Sequence, residues 1–403
     1  MSDALAHLKV VEFGGYAAGP CIGKYLANFG ARVVHVESQQ QPDGFRLQYP
    51  PYKDDKKGIN RSACFALFND SKCGVTLDLK NPSGLRVAYK LVEWCDVVIE
   101  NMRPGVMVRL GLGFEALRQR NPSLVMLSTS NMGQTGPYAR HPGFGSQLSS
   151  LSGFTNFIGK ADGPPNFVYG PYVDFVAVAF GGVAILAALD YARRTKEPLY
   201  LDLSQYESGL QFMSRALLNY WGNEVNGTRD GNREPAACPH GCYPCREGRW
   251  CVISSWDEEE WVRFCRASGQ LQWLDDVRFG SSAGRKQHEE VLNKLISDWT
   301  LTCDAQVIMQ TLQAAGIHAA AVSTMQDLFS DPQIAFRRVW QEAEHPEIGP
   351  HHYRMVSYQL SDTPGSVRGP APCLGEHNEQ VFMSWLGMST TEYRELLEQG
   401  AFS

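Results

Sequence analysis

The chain has 403 residues, 43% of them apolar and 20% charged, too many for one ordinary core and too apolar for disorder. Its formal net charge of −6 offers no basic field, so nucleic acid and membrane are not expected as partners, and any anionic ligand must be held by local groups. The opening MSDALAHLKVVEF lacks the basic start, long apolar stretch and cleavage site of a signal peptide, so a cytoplasmic location is expected. In chain order, LKVVEF predicts a strand, GPCIGKYLANFG a helix closed by Gly30, and ARVVHVE a second strand. After a polar, irregular stretch over 38–62, GVTLDL reads as a strand and NPSGLRVAYKLVEW as a helix, with Asn81 as N-cap and Pro82 at its first position. DVVIE, FEALRQRN and LVMLSTS continue the alternation, which implies a parallel sheet covered on both faces.

Residues 168–189, VYGPYVDFVAVAFGGVAILAAL, are almost all apolar or small, with a single charge, Asp174. The uninterrupted part, 175–189, falls short of the ~20 residues needed to span a bilayer and reads as a buried helix ending near Arg193 and Arg194. PLYLDL is a further strand, and SQYE, Ser204 to Glu207, is a capping box for a helix running toward Trp221. The polar connector NEVNGTRDGNREPAACP then leads to strand-like YPCREGRWCVISS and helices reaching Ala315, closed by Gly316. The expected division is a large domain over 1–225, a small domain over 226–325, and a tail over 326–403 that returns to the large domain. That tail carries strand-like YRMVSYQL and two closing helices.

Several chemistries can be weighed on residue types. Gly14, Gly15 and Gly19 follow the first strand, but a dinucleotide fingerprint needs a glycine where Tyr16 stands, and Pro20 crowds the turn, so NAD is disfavoured. A nucleophile elbow is missing; the nearest stretch, GFGSQ, has Gln147 at its last glycine position. Cys238, Cys242, Cys245 and Cys251, with His240 among them, suggest zinc, yet paired knuckles are lacking and a strand with a turn fits the pattern. Buried free thiols are expected there, and no metal. Arg103 and Arg109, in ENMRPGVMVRLGLG, follow a strand at the edge where α/β sheets bind ligands, and read equally as phosphate ligands or a solvated helix face. Asp174 reads as a helix cap or as a nucleophilic carboxylate stabilised by the helix N-terminus.

The sequence resembles the class III, formyl-CoA transferase type, CoA-transferases. VVEFGGYAAGPCIGKYLANFGARVVHVE is similar to the family's opening, and residues 73–144, from CGVTLDLKNPSG to YARHPGF, resemble its long central signature. VDFVAVAFGGVAILAAL resembles the segment of the catalytic aspartate, which falls on Asp174; YLDLSQYESGL and CLGEHNEQV also fit. The resemblance implies an α/β fold, with a large Rossmann-like parallel-sheet domain formed by both chain ends, a smaller α+β domain, and an interlocked dimer. It implies coenzyme A thioesters as substrates rather than a permanently bound cofactor, with CoA contacts on Tyr16, Ala18, Lys72, Asn101, Met102, Arg109 and His141. Ser38 departs from the basic residue many relatives have after the glutamate, and Gly145 from an acidic one after the aromatic. The glycine-rich lid of the formyl and oxalyl enzymes is not recognisable, which argues against those acyl groups.

Within the family, GNREPAACPHGCYPCREGRWCVISSWDEEEW resembles the benzylsuccinate CoA-transferase subunits, and carnitine CoA-transferases more distantly. That branch includes two-gene heteromers, so a homodimer or a heteromer with a homologous subunit is expected. The implied reaction moves CoA from succinyl-CoA to a carboxylic acid such as an aryl-substituted succinate, through mixed anhydrides and an aspartyl-CoA thioester. The alternatives are an α-methylacyl-CoA racemase, whose G-H-D-x-N-Y context is replaced here by Gly143, Phe144, Gly145 and Ser146, and a non-catalytic CoA-binding partner subunit.

Overall fold

Short Val-rich strands flanked by glycine-bearing turns build the central layer. The computed structural model describes residues 3–403. Six strands, β1 (Lys9–Phe13), β2 (Arg32–Glu37), β3 (Cys73–Thr76), β4 (Val97–Glu100), β5 (Val125–Ser130) and β6 (Leu199–Ser204), form one sheet in the order β3-β2-β1-β4-β5-β6. Every pairing is parallel, so all six carboxyl ends lie along one edge. Because the chain leaves β1 toward β2 and β3 and then returns to β4 on its other side, the ends of β1 and β4 open a crevice at the reversal, where such sheets take ligands.

Both faces of the sheet are buried. On one, Val10, Val33, Ile99 and Leu127 pack under the helices Ala18–Asn28 and Tyr172–Thr195. On the other, Val11, Val34, Val98 and Met126 meet the helix Pro82–Trp94, which Asn81 caps by accepting the N–H of Ser83 as its spacing predicts. The chain's end joins this second face through Val381, Phe382, Leu396 and Phe402. It also covers the edge of β3: Thr76 N–H donates to Asn378 Oδ1 at 2.9 Å, and Gly74 N–H to His377 Nδ1 at 3.2 Å. An open strand edge is thereby closed within the chain.

The helix Tyr172–Thr195 has the length and mean hydropathy, 2.1, of a membrane span, but its inner side is a packing surface. A Cβ on Gly181 would stand 2.5 Å from Ile22 Cδ1, so glycine is what lets this helix close on Ala18–Asn28. The expectation of a buried helix holds for that side only: on the outer side Phe180, Val183 and Leu186 are 40%, 70% and 44% exposed.

Two compact units divide the chain. The first holds the described residues up to Phe157, then 166–227 and 333–403; the second holds 158–165 and 228–332. In the second, β7 (His240–Pro244), β8 (Trp250–Ser254) and β9 (His318–Ala321) form an antiparallel sheet over a core of Trp261, Phe264, Trp273, Ile296 and Leu312. Three local expectations differ from the structure. The helix expected from FEALRQRN is one turn, Phe114–Leu117; the helix toward Trp221 is interrupted by a 3-10 turn over Gln211–Met213; and YRMVSYQL contributes only its first two residues to β11 (Gly349–Arg354), paired with β10 (Trp340–His345).

Candidate active site

At the crevice between β1 and β4 the backbone is held by side chains that return to it. Asn101, just beyond β4, accepts the N–H of Gly15 at 3.1 Å and donates its amide to Gly15 O at 2.6 Å. A Cβ on Gly14 would lie 2.1 Å from Asn101 Oδ1, so no other residue fits beneath this clamp. The turn then carries Tyr16 into the left-handed region, φ 62°, with its N–H on the Asp43 carboxylate at 3.0 and 3.1 Å. Its ring packs edge-on against Phe45 and Phe144.

A cavity of about 620 Å³ opens here, walled by the ends of β1, β4 and β5 and by the start of the helix that carries Asp174. It brings together Asp174, Tyr16, Ala18, Asn101, Met102, Arg109 and His141, seven of the eight residues singled out in the sequence. Lys72 is placed elsewhere. Its ammonium is buried, 2.9 Å from Glu12 Oε2, 2.6 Å from Pro20 O and 3.0 Å from Asn69 Oδ1, so it neutralises an interior carboxylate rather than facing the cavity.

Asp174 is the third residue of its helix, whose N-cap is Pro171, and its side chain makes no cap, which removes that reading. Half-buried, and without an ion pair or hydrogen bond among the described residues, the carboxyl is pushed up to about 7 by burial alone. A Cβ on Gly145 would sit 2.4 Å from Pro171 Cβ and 2.8 Å from Asp174 Oδ2. The acidic side chain of the racemase pattern therefore has no room at this position.

Of the N–H groups in the 14–18 turn, those of Gly15 and Tyr16 are already spent on Asn101 and Asp43. Those of Ala17 and Ala18, at the N-terminus of the helix Ala18–Asn28, have no acceptor among the described residues, and both residues line the cavity. They are the donors that remain for a developing oxyanion. Arg103, Arg109 and Arg140 line the same cavity, exposed and without a carboxylate partner among the described residues, a charge distribution suited to phosphates. Sequence reasoning missed Arg140 and Gln205; the first was detectable as a second base beside His141 in YARHPGF, the second only by its place after β6.

In the second unit burial raises the thiols of Cys238, Cys245 and Cys251, that of Cys238 to about 11, and His240 Nδ1 is bonded to Ser254 Oγ. Among the described residues, no three His, Cys, Asp or Glu side chains are grouped to hold a metal ion.

The family model for CoA-transferase family III matches residues 5–378. The chain belongs to this family. Two curated relatives come from Chloroflexus aurantiacus: succinyl-CoA--D-citramalate CoA-transferase is 32% identical over 96% of this chain and 94% of its own length, and succinyl-CoA--L-malate CoA-transferase beta subunit is 29% identical over 97% and 96%. A solved CAIB/BAIF family protein from Brucella suis superposes with a TM-score of 0.88 at 26% identity, over 96% of this chain and all of that one. The family acts on CoA thioesters, and this chain is a class III CoA-transferase.

If the three arginines receive the phosphates, Arg140→Ala raises KM for the acyl-CoA about tenfold, ~1.4 kcal/mol, and leaves kcat within a factor of about two. Steady-state kinetics at fixed ionic strength checks this.

Proposed function

We propose that the cavity transfers CoA from succinyl-CoA to a succinate-type dicarboxylic acid, with Asp174 as the acyl and CoA carrier. The observation that carries the reading is the unpaired Asp174 carboxylate, raised by burial, in the same cavity as two unengaged helix N-terminal N–H groups and three unpaired arginines. Asp174 attacks the thioester carbonyl; the C–S bond breaks, the thiolate leaves with its electron pair, and a mixed anhydride remains. The thiolate then attacks the Asp174 carbonyl, expels succinate and leaves an aspartyl-CoA thioester. The acceptor carboxylate repeats both steps in reverse, so no net proton is needed and the bond energy is not lost to water. The N–H groups of Ala17 and Ala18 hold the oxyanion, and the low-dielectric surround of Asp174 favours its attack over solvation.

For the acceptor we infer an aryl-substituted succinate. Tyr16 and Phe144, 6.1 Å apart, offer an aromatic wall for a ring, in line with the resemblance of the 231–261 stretch. The relatives named above, for D-citramalate and L-malate, supply the competing acids for a substrate panel with succinyl-CoA as donor. Benzylsuccinate turned over faster than citramalate or malate supports the aryl assignment; turnover of the aliphatic acids alone removes it.

For the assembly we infer a dimer, with itself or with a homologous subunit, and the apolar surface of the first unit supports it. Besides the outer side of the Asp174 helix, Tyr169 is fully exposed, and Trp221, Phe336 and Tyr220 are largely so. Apolar area of this kind is covered in obligate assemblies. Sedimentation at working concentration is expected to give a dimer, and an active monomer overturns it.

Asp174→Asn is expected to fall below about a hundredth of wild-type kcat, a loss of at least ~2.7 kcal/mol, with folding retained. With succinyl-CoA alone, hydroxylamine should convert the Asp174 side chain to a hydroxamate, found by peptide mapping within residues 167–180 and only when donor is present.

The nucleophile is the ionised form of a carboxyl whose value lies near 7 instead of 3.8, so acid removes it early. The donor half-reaction is expected to rise about tenfold per pH unit below that value and level off above it, read as the rate of hydroxamate formation.

A further inference from the structure

Behind the cavity wall lies a buried group of charges to which the transfer chemistry gives no part. Glu12, His35, Glu37, Asp43, Arg46 and Lys72 are each at most 5% exposed. Arg46 pairs with Glu37 at 2.7 Å, and Glu37 Oε1 accepts the backbone N–H of Asp43 at 2.9 Å, which fixes where the Asp43 carboxylate stands. From the other side Lys72 and His35 Nδ1 share Glu12 Oε2, at 2.9 and 3.0 Å. His35 Nε2, buried and without a hydrogen bond among the described residues, lies 3.7 Å from Asp43 Oδ2. The Asp43 carboxylate is left to accept two N–H groups, that of Phe45 on Oδ1 at 2.8 Å in its own segment and that of Tyr16 in the cavity turn, shared between Oδ1 at 3.0 Å and Oδ2 at 3.1 Å.

We propose that Asp43 is a positioning residue for the acyl-CoA: its carboxylate holds Tyr16 in the left-handed conformation that sets the Tyr16 ring and the Ala17 and Ala18 N–H groups against the cavity. Tyrosine does not keep a φ of 62° unaided, and a residue released from that region swings the peptide that follows it. That peptide begins the stretch carrying both unengaged donors. The contact is close as well as polar, since a Cβ on Gly15 would stand 2.8 Å from Asp43 Cγ. Lys72, though remote from the cavity, belongs to the same device through Glu12 and His35.

The inference rests on the cavity taking a CoA thioester, and coenzyme A itself is the probe. Wild-type protein, titrated calorimetrically, is expected to bind CoA, and Arg109→Ala to weaken that binding; no binding, or indifference to Arg109→Ala, defeats the functional reading and not this one. Given binding, Asp43→Ala should raise the CoA dissociation constant about tenfold or more and slow hydroxamate formation, with an unchanged far-ultraviolet spectrum. Asp43→Asn keeps an acceptor at the Oδ1 position and should return CoA binding to within about threefold of wild type. In a Tyr16→Gly background, where the left-handed turn needs no support, Asp43→Ala should cost less than about threefold. If Asp43→Ala does not fold, Gly15→Ala, which displaces the carboxylate without removing it, should weaken CoA binding comparably. Wild-type CoA binding in Asp43→Ala or, where that variant does not fold, in Gly15→Ala overturns the proposal, as does an equal loss in the Tyr and Gly backgrounds at position 16.

Discussion

The pair of hydrogen bonds between Asn101 and Gly15 joins the ends of two strands far apart in sequence, and the remaining geometry of the cavity follows from it. A parallel sheet leaves the loops beyond its carboxyl ends without ladder partners, so each loop needs another source of hydrogen bonds. Here side chains supply them: Glu100 accepts the Met102 N–H at 2.8 Å, Asp202 accepts that of Gln134 at 2.9 Å, and Asn131 donates to Gly143 O at 2.9 Å. Asp43 does the same for Tyr16. The cavity wall is thus a set of backbone segments each held by a polar group on a rigid element, which keeps the groups that line it in place.

Electrostatics divides the same region into layers. The cavity surface carries unpaired arginines and one carboxyl that burial holds near neutrality, while the interior behind it balances acids against Lys72, Arg46 and His35. An unpaired charge is useful only where a ligand will meet it; in the interior it would be a liability of several kcal/mol. This explains why Arg109 faces the cavity and Lys72 does not, although the family resemblance implies a CoA contact for both.

Legibility from the sequence followed the range of the interactions. The alternation of Val-rich strands and capped helices is local, and it gave the parallel sheet, the Asn81 cap and the position of Asp174 on its helix. Lys72 was misplaced because its partner is 60 residues away and carries no local signal. Asp43 fell within the polar stretch over 38–62 that looked irregular, since a carboxylate serving an N–H 27 residues distant obeys no period. The outer side of the Asp174 helix read as buried because an apolar composition signals a packing surface without saying which side of the helix packs within the chain.

Gly145 also bears on how such a chain changes over generations. With Pro171 and Asp174 both within 3 Å of where a Cβ would stand, no single substitution can add a functional group at that position without moving the start of the catalytic helix. Residue 145 and the start of the catalytic helix are therefore tied, and an acidic side chain at this place, as relatives carry, requires residue 171 to be set further back.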